Sequence, residues 1–195
     1  MRLLPEGVPF LKRVFDLLLT LAGGLLLSPL LLVVALLVRI NLGRPVLFKQ
    51  KRGGYQGSVF EVYKFRSMTD ARDAQGNLLS DTHRLTRLGR FLRSSSLDEL
   101  PEMINILHGE MSWVGPRPLF AHYIERYSPE QARRHAVLPG ITGWAQVCYR
   151  YGANVEDALE KLKYDLYYIK NYNLLFDLWI ILKTIRVVLL GSGAH

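Results

Sequence analysis

The feature that most constrains this chain is a run of 22 uncharged residues near its start, at positions 17–38. As an α-helix this run extends about 33 Å, enough to cross the roughly 30 Å hydrocarbon core of a bilayer. It is too long for the apolar part of a cleavable signal peptide, and no small-residue cleavage site precedes the basic stretch that follows. The sequence therefore predicts a helix inserted in a membrane.

Basic residues flank the apolar run on both sides, whereas a spanning helix usually has an excess on one side. Lys12 and Arg13 precede it, and the residues that follow it are Arg39, Arg44, Lys49, Lys51 and Arg52. Pro29 lacks an N–H for the carbonyl of Leu25 and favours a bend, while the hydroxyl of Ser28 can satisfy a freed carbonyl one turn earlier. Two interpretations stay open: a simple span, and a re-entrant helix broken at Ser28-Pro29 that enters and leaves by the same membrane face.

Composition narrows the class of partner and the compartment. The formal net charge of +8 suits an anionic partner such as nucleic acid, a lipid headgroup surface or a phosphorylated substrate. The single cysteine, Cys148, excludes an intrachain disulfide and a cysteine-based metal site, and agrees with a reducing compartment. The cytoplasmic side of the membrane is favoured for the polar part of the chain.

The sequence pattern predicts an α+β fold that is predominantly helical, with residues 1–40 as the N-terminal segment and membrane helix and residues 41–195 as a compact cytosolic domain. Residues 46–50 and 59–65, bounded by glycines, read as the strands of a small hairpin. The polar stretch 69–84 contains Gly76-Asn77 and indicates a loop or a pair of short elements.

Several helices are predicted farther along the chain. Residues 102–108 form a helix that Gly109 ends, and Ser128-Pro129 begins another with Gln131 closing a capping box. Asn154 caps a long amphipathic helix. For residues 174–190 two interpretations stay open, an ordinary core helix and an amphipathic helix lying in the membrane interface, and we take the interfacial helix as the prediction.

Asp98 and Glu99 are the candidate catalytic residues. Ser96-Leu97-Asp98-Glu99 matches a capping box, so a helix start without a catalytic role is the simpler interpretation. Pro101 fits the first turn better if Asp98 is the cap. In either case Asp98 lies at the positive end of a helix, which favours the ionised carboxylate that a nucleophile toward phosphorus requires. Adjacent helical residues point about 100° apart, which disfavours a glycoside hydrolase pair.

An anionic nucleophile needs nearby cations to approach a diphosphate. The candidate phosphate-binding residues are Lys64, Arg66, Arg93, Arg117 and Arg150. For any single arginine a solvated surface charge is the simpler interpretation. Arg117 is the exception, because the prolines on both sides fix its backbone. The chain has no Walker-type phosphate loop, and its five histidines lack metal-ligand spacing.

Four motifs, taken in order, resemble the bacterial sugar transferases known as monotopic phosphoglycosyl transferases. They are KFRSM at 64–68, RSSSLDELP at 93–101, VGPRP at 114–118 and PGITGWAQV at 139–147. The resemblance extends from about Lys12 to the end of the chain. Small members of that family have one re-entrant helix with a Ser-Pro break, matched here by Ser28-Pro29, followed by the catalytic domain.

The resemblance implies a ping-pong reaction at the cytoplasmic face of the bacterial inner (plasma) membrane. Asp98 attacks the sugar-proximal phosphorus of a UDP-sugar, UMP leaves, and polyprenyl (undecaprenyl) phosphate takes the phosphosugar from the enzyme. The resemblance also implies Mg²⁺ beside Asp98, with Glu99 assisting in metal binding or proton handling. UDP-sugar, polyprenyl phosphate and membrane lipids are the expected partners, nucleic acid is not, and a homodimer is left open.

The sugar and the glycan pathway are not determined by these motifs. The chain departs from common family patterns at Cys148-Tyr149, Leu138 and Glu110, while YRYGA at 149–153 resembles a subgroup associated with exopolysaccharide assembly. The alternative function is a non-enzymatic, membrane-anchored scaffold that binds anionic lipid or an assembly partner, for which Asp98 would be dispensable. Nucleic-acid binding is disfavoured by the apolar run and the lack of a basic-aromatic motif.

Overall fold

The computed structural model describes residues 5–149 and 155–189. The α-helices are α1 (Phe10–Leu42), α2 (Asp81–Arg84), α3 (Arg87–Ser94), α4 (Met103–His108), α5 (Pro129–Ala132), α6 (Trp144–Cys148), α7 (Val155–Asn171) and α8 (Leu174–Leu189). The strands are β1 (Leu47–Gly53), β2 (Val59–Phe65), β3 (Ser112–Val114) and β4 (Gly140–Thr142). Short 3₁₀ helices occur at Tyr55–Gly57, Leu97–Glu102, Ala121–Arg126 and Arg133–Ala136. The predicted predominance of helix is confirmed.

Helix α1 continues through Pro29 without an interruption. The Ser28 hydroxyl donates a hydrogen bond to the carbonyl of Leu25 at 2.8 Å, as the sequence predicted. Because this hydroxyl replaces the amide donor that Pro29 lacks, the backbone stays helical at Ser28-Pro29. The backbone at the predicted break is therefore helical. A re-entrant path requires a bend within one continuous helix.

One side of α1 packs on the rest of the protein near both of its ends. Lys12, Arg13, Asp16 and Thr20 are buried in the first turns, and farther along Val34 and Val38 pack in a core with Phe65 and Leu92. The opposite side is exposed and apolar: Leu18, Leu21, Leu25, Leu26, Leu32, Val33, Leu36, Leu37 and Ile40. Within the described residues, α1 is the one helix long and apolar enough to cross a membrane.

A buried polar network anchors the first turn of α1. The Lys12 ammonium lies 2.6 Å from Oδ2 of Asp177 on α8 and donates to the carbonyl of Val114 at 3.1 Å. Tyr168 on α7 donates to the other oxygen of Asp177 at 2.6 Å. Arg13 donates to the carbonyl of Ile106 at the same distance, 2.6 Å. These bonds tie α1 to β3, α4 and α8, and the bond from Tyr168 ties α7 to the same Asp177 carboxylate.

Helix α8 has a buried side and an exposed apolar side. Asp177 and Ile180 are fully buried. The exposed apolar side chains are Leu175, Leu178, Trp179, Leu182, Ile185 and Val188. The core interpretation therefore holds for one side of the helix, and the other side has the character expected of a helix that lies in a membrane interface.

The predicted hairpin is confirmed, with β1 antiparallel to β2 in a register from Leu47↔Phe65 to Gly53↔Val59. Residues farther along the chain add a short parallel pair that the sequence did not predict, β3 with β4. At the end of β3, a Cβ on Gly115 would lie 2.2 Å from the carbonyl oxygen of Leu138, so only glycine fits there.

Two predicted helix ends are confirmed. Gly109 ends α4 in a left-handed conformation, with a φ of 81°. Ser128 and Gln131 form both bonds of the capping box at the start of α5. The predicted cap of α7, Asn154, lies outside the described residues.

Candidate active site

The segment that carries the candidate catalytic residues turns sharply after α3. Ser96 adopts a left-handed conformation, with a φ of 55°, and its side chain makes no capping bond. Residues Leu97–Glu102 then form a 3₁₀ helix that contains Pro101 and continues into α4. The predicted capping box is therefore wrong, and Asp98 is not a helix cap. The side chain of Glu99, which would have closed the box, binds two cations instead.

Glu99 is held between Lys64 of β2 and Arg117 of the loop after β3. Its Oε1 lies 2.6 Å from the Lys64 ammonium and 2.5 Å from Nη2 of Arg117. Burial alone would raise the pKa of Glu99, but the charges and hydrogen bonds of Arg117 and Lys64 outweigh it and lower that pKa to about 2. Glu99 is thus an ionised anchor for two cations, and a carboxylate of this kind is a poor proton acceptor at neutral pH.

Asp98 differs from Glu99 in the partners of its carboxylate and in the direction of its pKa shift. It is only 8% exposed. Among residues 5–149 and 155–189, no other residue donates a hydrogen bond to its carboxylate or forms an ion pair with it. Burial and the negative charge of Glu99 raise the pKa of Asp98 to about 6, against the opposing charges of Lys64 and Arg93. The helix-end effect expected from the sequence therefore does not dominate the pKa of Asp98, which at about 6 still leaves this carboxyl mainly ionised at neutral pH.

A third carboxyl group, Glu102, belongs to the same cluster and was missed in the sequence. It is buried, and its Oε1 lies 3.2 Å from the Lys64 ammonium. Burial and the charge of Glu99 raise the pKa of Glu102 to about 7. Side chains three residues apart lie above one another on a 3₁₀ helix, so Glu99 and Glu102 meet the same lysine while Asp98 points elsewhere. The spacing of three was visible in the sequence, but the 3₁₀ geometry was not.

Arg117 lies beside Glu99 at the candidate site, and its role in binding phosphate stays a prediction. Its side chain is 48% exposed although it binds Glu99, so part of the guanidinium remains open to a ligand. The pairing of β3 with β4 and the close approach at Gly115 place the loop that carries Arg117 beside the 3₁₀ helix. Lys64, Glu99 and Arg117 thus come together from three separate parts of the chain.

The remaining predicted cations have different surroundings. Arg93 donates to the Ser67 hydroxyl at 3.0 Å, and its charge opposes the rise in the pKa of Asp98 that burial causes, so we keep it in the proposed phosphate-binding set. Arg66 donates to the carbonyls of Leu42 and Arg44 at 3.2 and 3.1 Å, bonds that hold the chain just after α1. We therefore leave Arg66 out of the proposed phosphate-binding set. Arg150 lies outside the described residues.

The predicted Mg²⁺ can be tested against the donors at this site. Within the described residues, no group of three or more histidine, cysteine, aspartate or glutamate side chains forms a metal site by itself. Mg²⁺ is usually held by one or two carboxylates together with substrate phosphates rather than by a closed protein site. The carboxylate of Asp98, which no other described residue binds, fits that pattern as a single protein donor.

Comparison with known proteins found a matching family profile and several relatives that match most of the chain. The profile of the family described as bacterial sugar transferase matches residues 8–191. The uncharacterized sugar transferase EpsL of Bacillus subtilis is 46% identical to the chain over 183 residues, which are 94% of this chain and 89% of that protein.

Two further relatives have names that state an activity. A UDP-N-acetylgalactosamine-undecaprenyl-phosphate N-acetylgalactosaminephosphotransferase of Aeromonas hydrophila is 41% identical, over 99% of this chain and 47% of that protein. A UDP-glucose:undecaprenyl-phosphate glucose-1-phosphate transferase of Caulobacter vibrioides is 39% identical, over 97% of this chain and 73% of that protein. The two names share the lipid acceptor and differ in the sugar.

Proposed function

This chain belongs to the bacterial sugar transferase family, and we propose that it moves a sugar 1-phosphate from a UDP-sugar to polyprenyl phosphate, releasing UMP. The family membership confirms the resemblance seen in the four motifs. The named relatives support a UDP-sugar as donor and undecaprenyl phosphate as acceptor. Because their sugars differ, the proposal leaves the sugar open.

The contrast between Asp98 and Glu99 carries this proposal. Lys64 and Arg117 neutralise Glu99, whereas the carboxylate of Asp98 has no cationic partner among the described residues. An ionised, unpaired carboxylate beside cations is suited to attack phosphorus, because the cations reduce its repulsion from the diphosphate. Asp98 is therefore the nucleophile in the proposed reaction, and Glu99 orients the cations.

The proposed reaction has two displacements. An oxygen of Asp98 forms a bond to the sugar-proximal phosphorus, and the bond from that phosphorus to UMP breaks, with the electron pair leaving on UMP. An oxygen of polyprenyl phosphate then attacks the same phosphorus and releases the Asp98 carboxylate. Arg117, Lys64 and Arg93 bind phosphate oxygens and stabilise the charge that develops in both displacements. Mg²⁺, held by Asp98 and the diphosphate, would supply further charge neutralisation.

The packing of α1 supports a location at one face of the membrane. Lys12 near the start of α1 and Val38 near its end both contact the part of the chain that carries the site. A helix crossing the bilayer would separate these contacts by the thickness of the membrane. We therefore propose a re-entrant α1, with α8 in the interface and the site on the cytoplasmic face of the inner membrane.

The test is release of UMP by the purified, detergent-solubilised full chain supplied with Mg²⁺, undecaprenyl phosphate and a panel of UDP-sugars. We expect turnover with at least one sugar, and loss of at least about a thousandfold in Asp98→Asn and Asp98→Ala. Asp81→Asn removes an exposed carboxylate of the same type from α2 and should leave turnover unchanged. Mass spectrometry without the acceptor should find a phosphosugar on the peptide that contains Asp98.

Full turnover in both Asp98 variants would refute the assignment of the nucleophile. The exposed apolar sides of α1 and α8 also suit the alternative, a membrane-anchored scaffold. That function predicts no UMP release from any UDP-sugar, together with membrane binding that is the same in the wild type and in Asp98→Asn.

A further inference from the structure

The backbone of the loop that carries Arg117 is bonded at four consecutive carbonyl groups. The bonds are Gly140 N–H to Pro116 O at 3.0 Å, Arg134 Nη2 to Arg117 O at 3.3 Å, Arg52 Nη1 to Pro118 O at 3.4 Å, and Gly53 N–H to Leu119 O at 2.9 Å. The donors come from three separate parts of the chain, which are residues 52–53, residue 134 and residue 140. The position of the Arg117 guanidinium therefore depends on tertiary contacts made to its backbone.

The bond at Arg117 itself comes from a buried ion pair. Nη2 of Arg134 also lies 2.6 Å from Oδ2 of Asp165 on α7. The two side chains are only 12% and 4% exposed, so the pair is shielded from solvent. A guanidinium presents several N–H donors in a rigid plane, so Arg134 can bind the carboxylate and the carbonyl at the same time. The position of α7 is thereby linked to the backbone of Arg117.

Arg134 lies in a short 3₁₀ helix, and the residue after it, His135, attaches this helix to the hairpin of β1 and β2. In the 3₁₀ helix Arg133–Ala136, Nδ1–H of His135 donates to the carbonyl of Gly54 at 2.7 Å. The space between this helix and the Arg117 loop is a cavity of only about 10 Å³. The loop is therefore closely packed against Arg134 and His135, and it has little room to shift while these contacts hold.

We propose that Arg134, fixed by Asp165, is a positioning residue that holds Arg117 in the geometry needed to bind the diphosphate. This inference rests on the proposed function. Arg134 acts through the backbone of Arg117, because Nη2 of its guanidinium is bonded to the Arg117 carbonyl and to the Asp165 carboxylate. A displacement of a binding group by about 1 Å can cost as much as a hundredfold in rate, so a positioning contact of this kind affects turnover.

The experiment is a double-mutant cycle between Arg134 and Arg117 in the full chain, measured as UMP release. We expect Arg134→Gln to lower kcat/KM by about tenfold or more, and to lower it by less than about twofold when Arg117 is already alanine. Arg133→Gln removes the same charge from an exposed position on the same 3₁₀ helix and should leave kcat/KM unchanged. Equal losses from Arg134→Gln in both backgrounds would overturn the proposal, because general damage to the fold is additive.

A replacement variant and a second measurement test this inference independently of the proposed function. Where Arg134→Gln fails to fold, Arg134→Gln/Asp165→Asn replaces it, since this variant leaves no unpaired buried carboxylate. Amide hydrogen exchange of peptides covering residues 116–121, without substrate, should be faster in the Arg134 variant than in Arg133→Gln. Unchanged exchange refutes the positioning role, whereas a wild-type protein that releases no UMP refutes the proposed function and leaves the exchange result to decide the positioning role.

Discussion

Nη2 of Arg117 lies 2.5 Å from Oε1 of Glu99, which joins the loop after β3 to the 3₁₀ helix that contains Asp98. This pair, together with Lys64, keeps Glu99 ionised. Burial raises the pKa of Asp98, and the retained negative charge of Glu99 raises it further. The pKa is therefore raised at Asp98 and lowered at the adjacent Glu99. This difference predicts how activity depends on pH.

The raised pKa of Asp98 predicts an acid limit to activity. The nucleophile must be ionised, so kcat/KM should be nearly constant above pH 7 and should fall about tenfold per pH unit below pH 6, because the Asp98 pKa is about 6. The measurement is the initial rate of UMP release from pH 4.5 to 8.5. In Glu99→Gln the acid limb of this pH profile should move to lower pH, because burial still raises the Asp98 pKa but the added effect of the Glu99 charge is gone. If the fall in kcat/KM occurs at the same pH in Glu99→Gln as in the wild type, a group other than Asp98 is titrating.

Arg66 should affect stability more than chemistry. Its guanidinium donates to the carbonyls of Leu42 and Arg44, and loss of such buried bonds costs about 1–3 kcal/mol of unfolding free energy. We expect Arg66→Gln to unfold at lower temperature while the folded protein keeps its KM for the UDP-sugar. The control is Arg90→Gln, which removes an exposed charge from α3. A large rise in KM without a change in unfolding temperature would instead support the predicted role of Arg66 in binding phosphate.

The buried Lys12–Asp177 pair should be required to anchor the start of α1. Lys12→Met leaves the Asp177 carboxylate buried without its cation, which costs about 3–5 kcal/mol. Thermal unfolding in detergent should show this loss, and Lys12→Met/Asp177→Asn should recover part of it because the buried charge is also removed. If the double variant is less stable than Lys12→Met, the ion pair is not the main contact of these residues.

The re-entrant path of α1 predicts that both of its ends lie on one side of the membrane. In a Cys148→Ser background, single cysteines at the exposed positions Glu6→Cys and Gln75→Cys should react with a membrane-impermeant thiol reagent from the same side of sealed inverted vesicles. Reaction of the two positions from opposite sides would instead establish a simple span.

Local patterns predicted much of the fold. The hairpin, the capping box of Ser128 with Gln131, the end of α4 at Gly109 and the bond from Ser28 to the carbonyl of Leu25 all depend on residues close together in the sequence. The same approach failed at Ser96. A capping box at Ser96 requires the Glu99 side chain to bind the backbone N–H of Ser96. The Glu99 carboxylate instead binds Lys64 and Arg117, which are distant in the sequence.

The sequence by itself predicted an apolar helix with basic flanks, a mainly helical fold, and Asp98 with nearby cations as the candidate site. The tertiary structure alone decided which acid is neutralised, because Lys64 and Arg117 reach Glu99 only when β2 and the loop after β3 meet the 3₁₀ helix. It also decided that Arg66 holds backbone carbonyls and that Arg134 and Asp165 support Arg117. A charged residue type shows what a side chain is able to bind, but the partner it binds depends on which distant residues folding brings within about 3 Å.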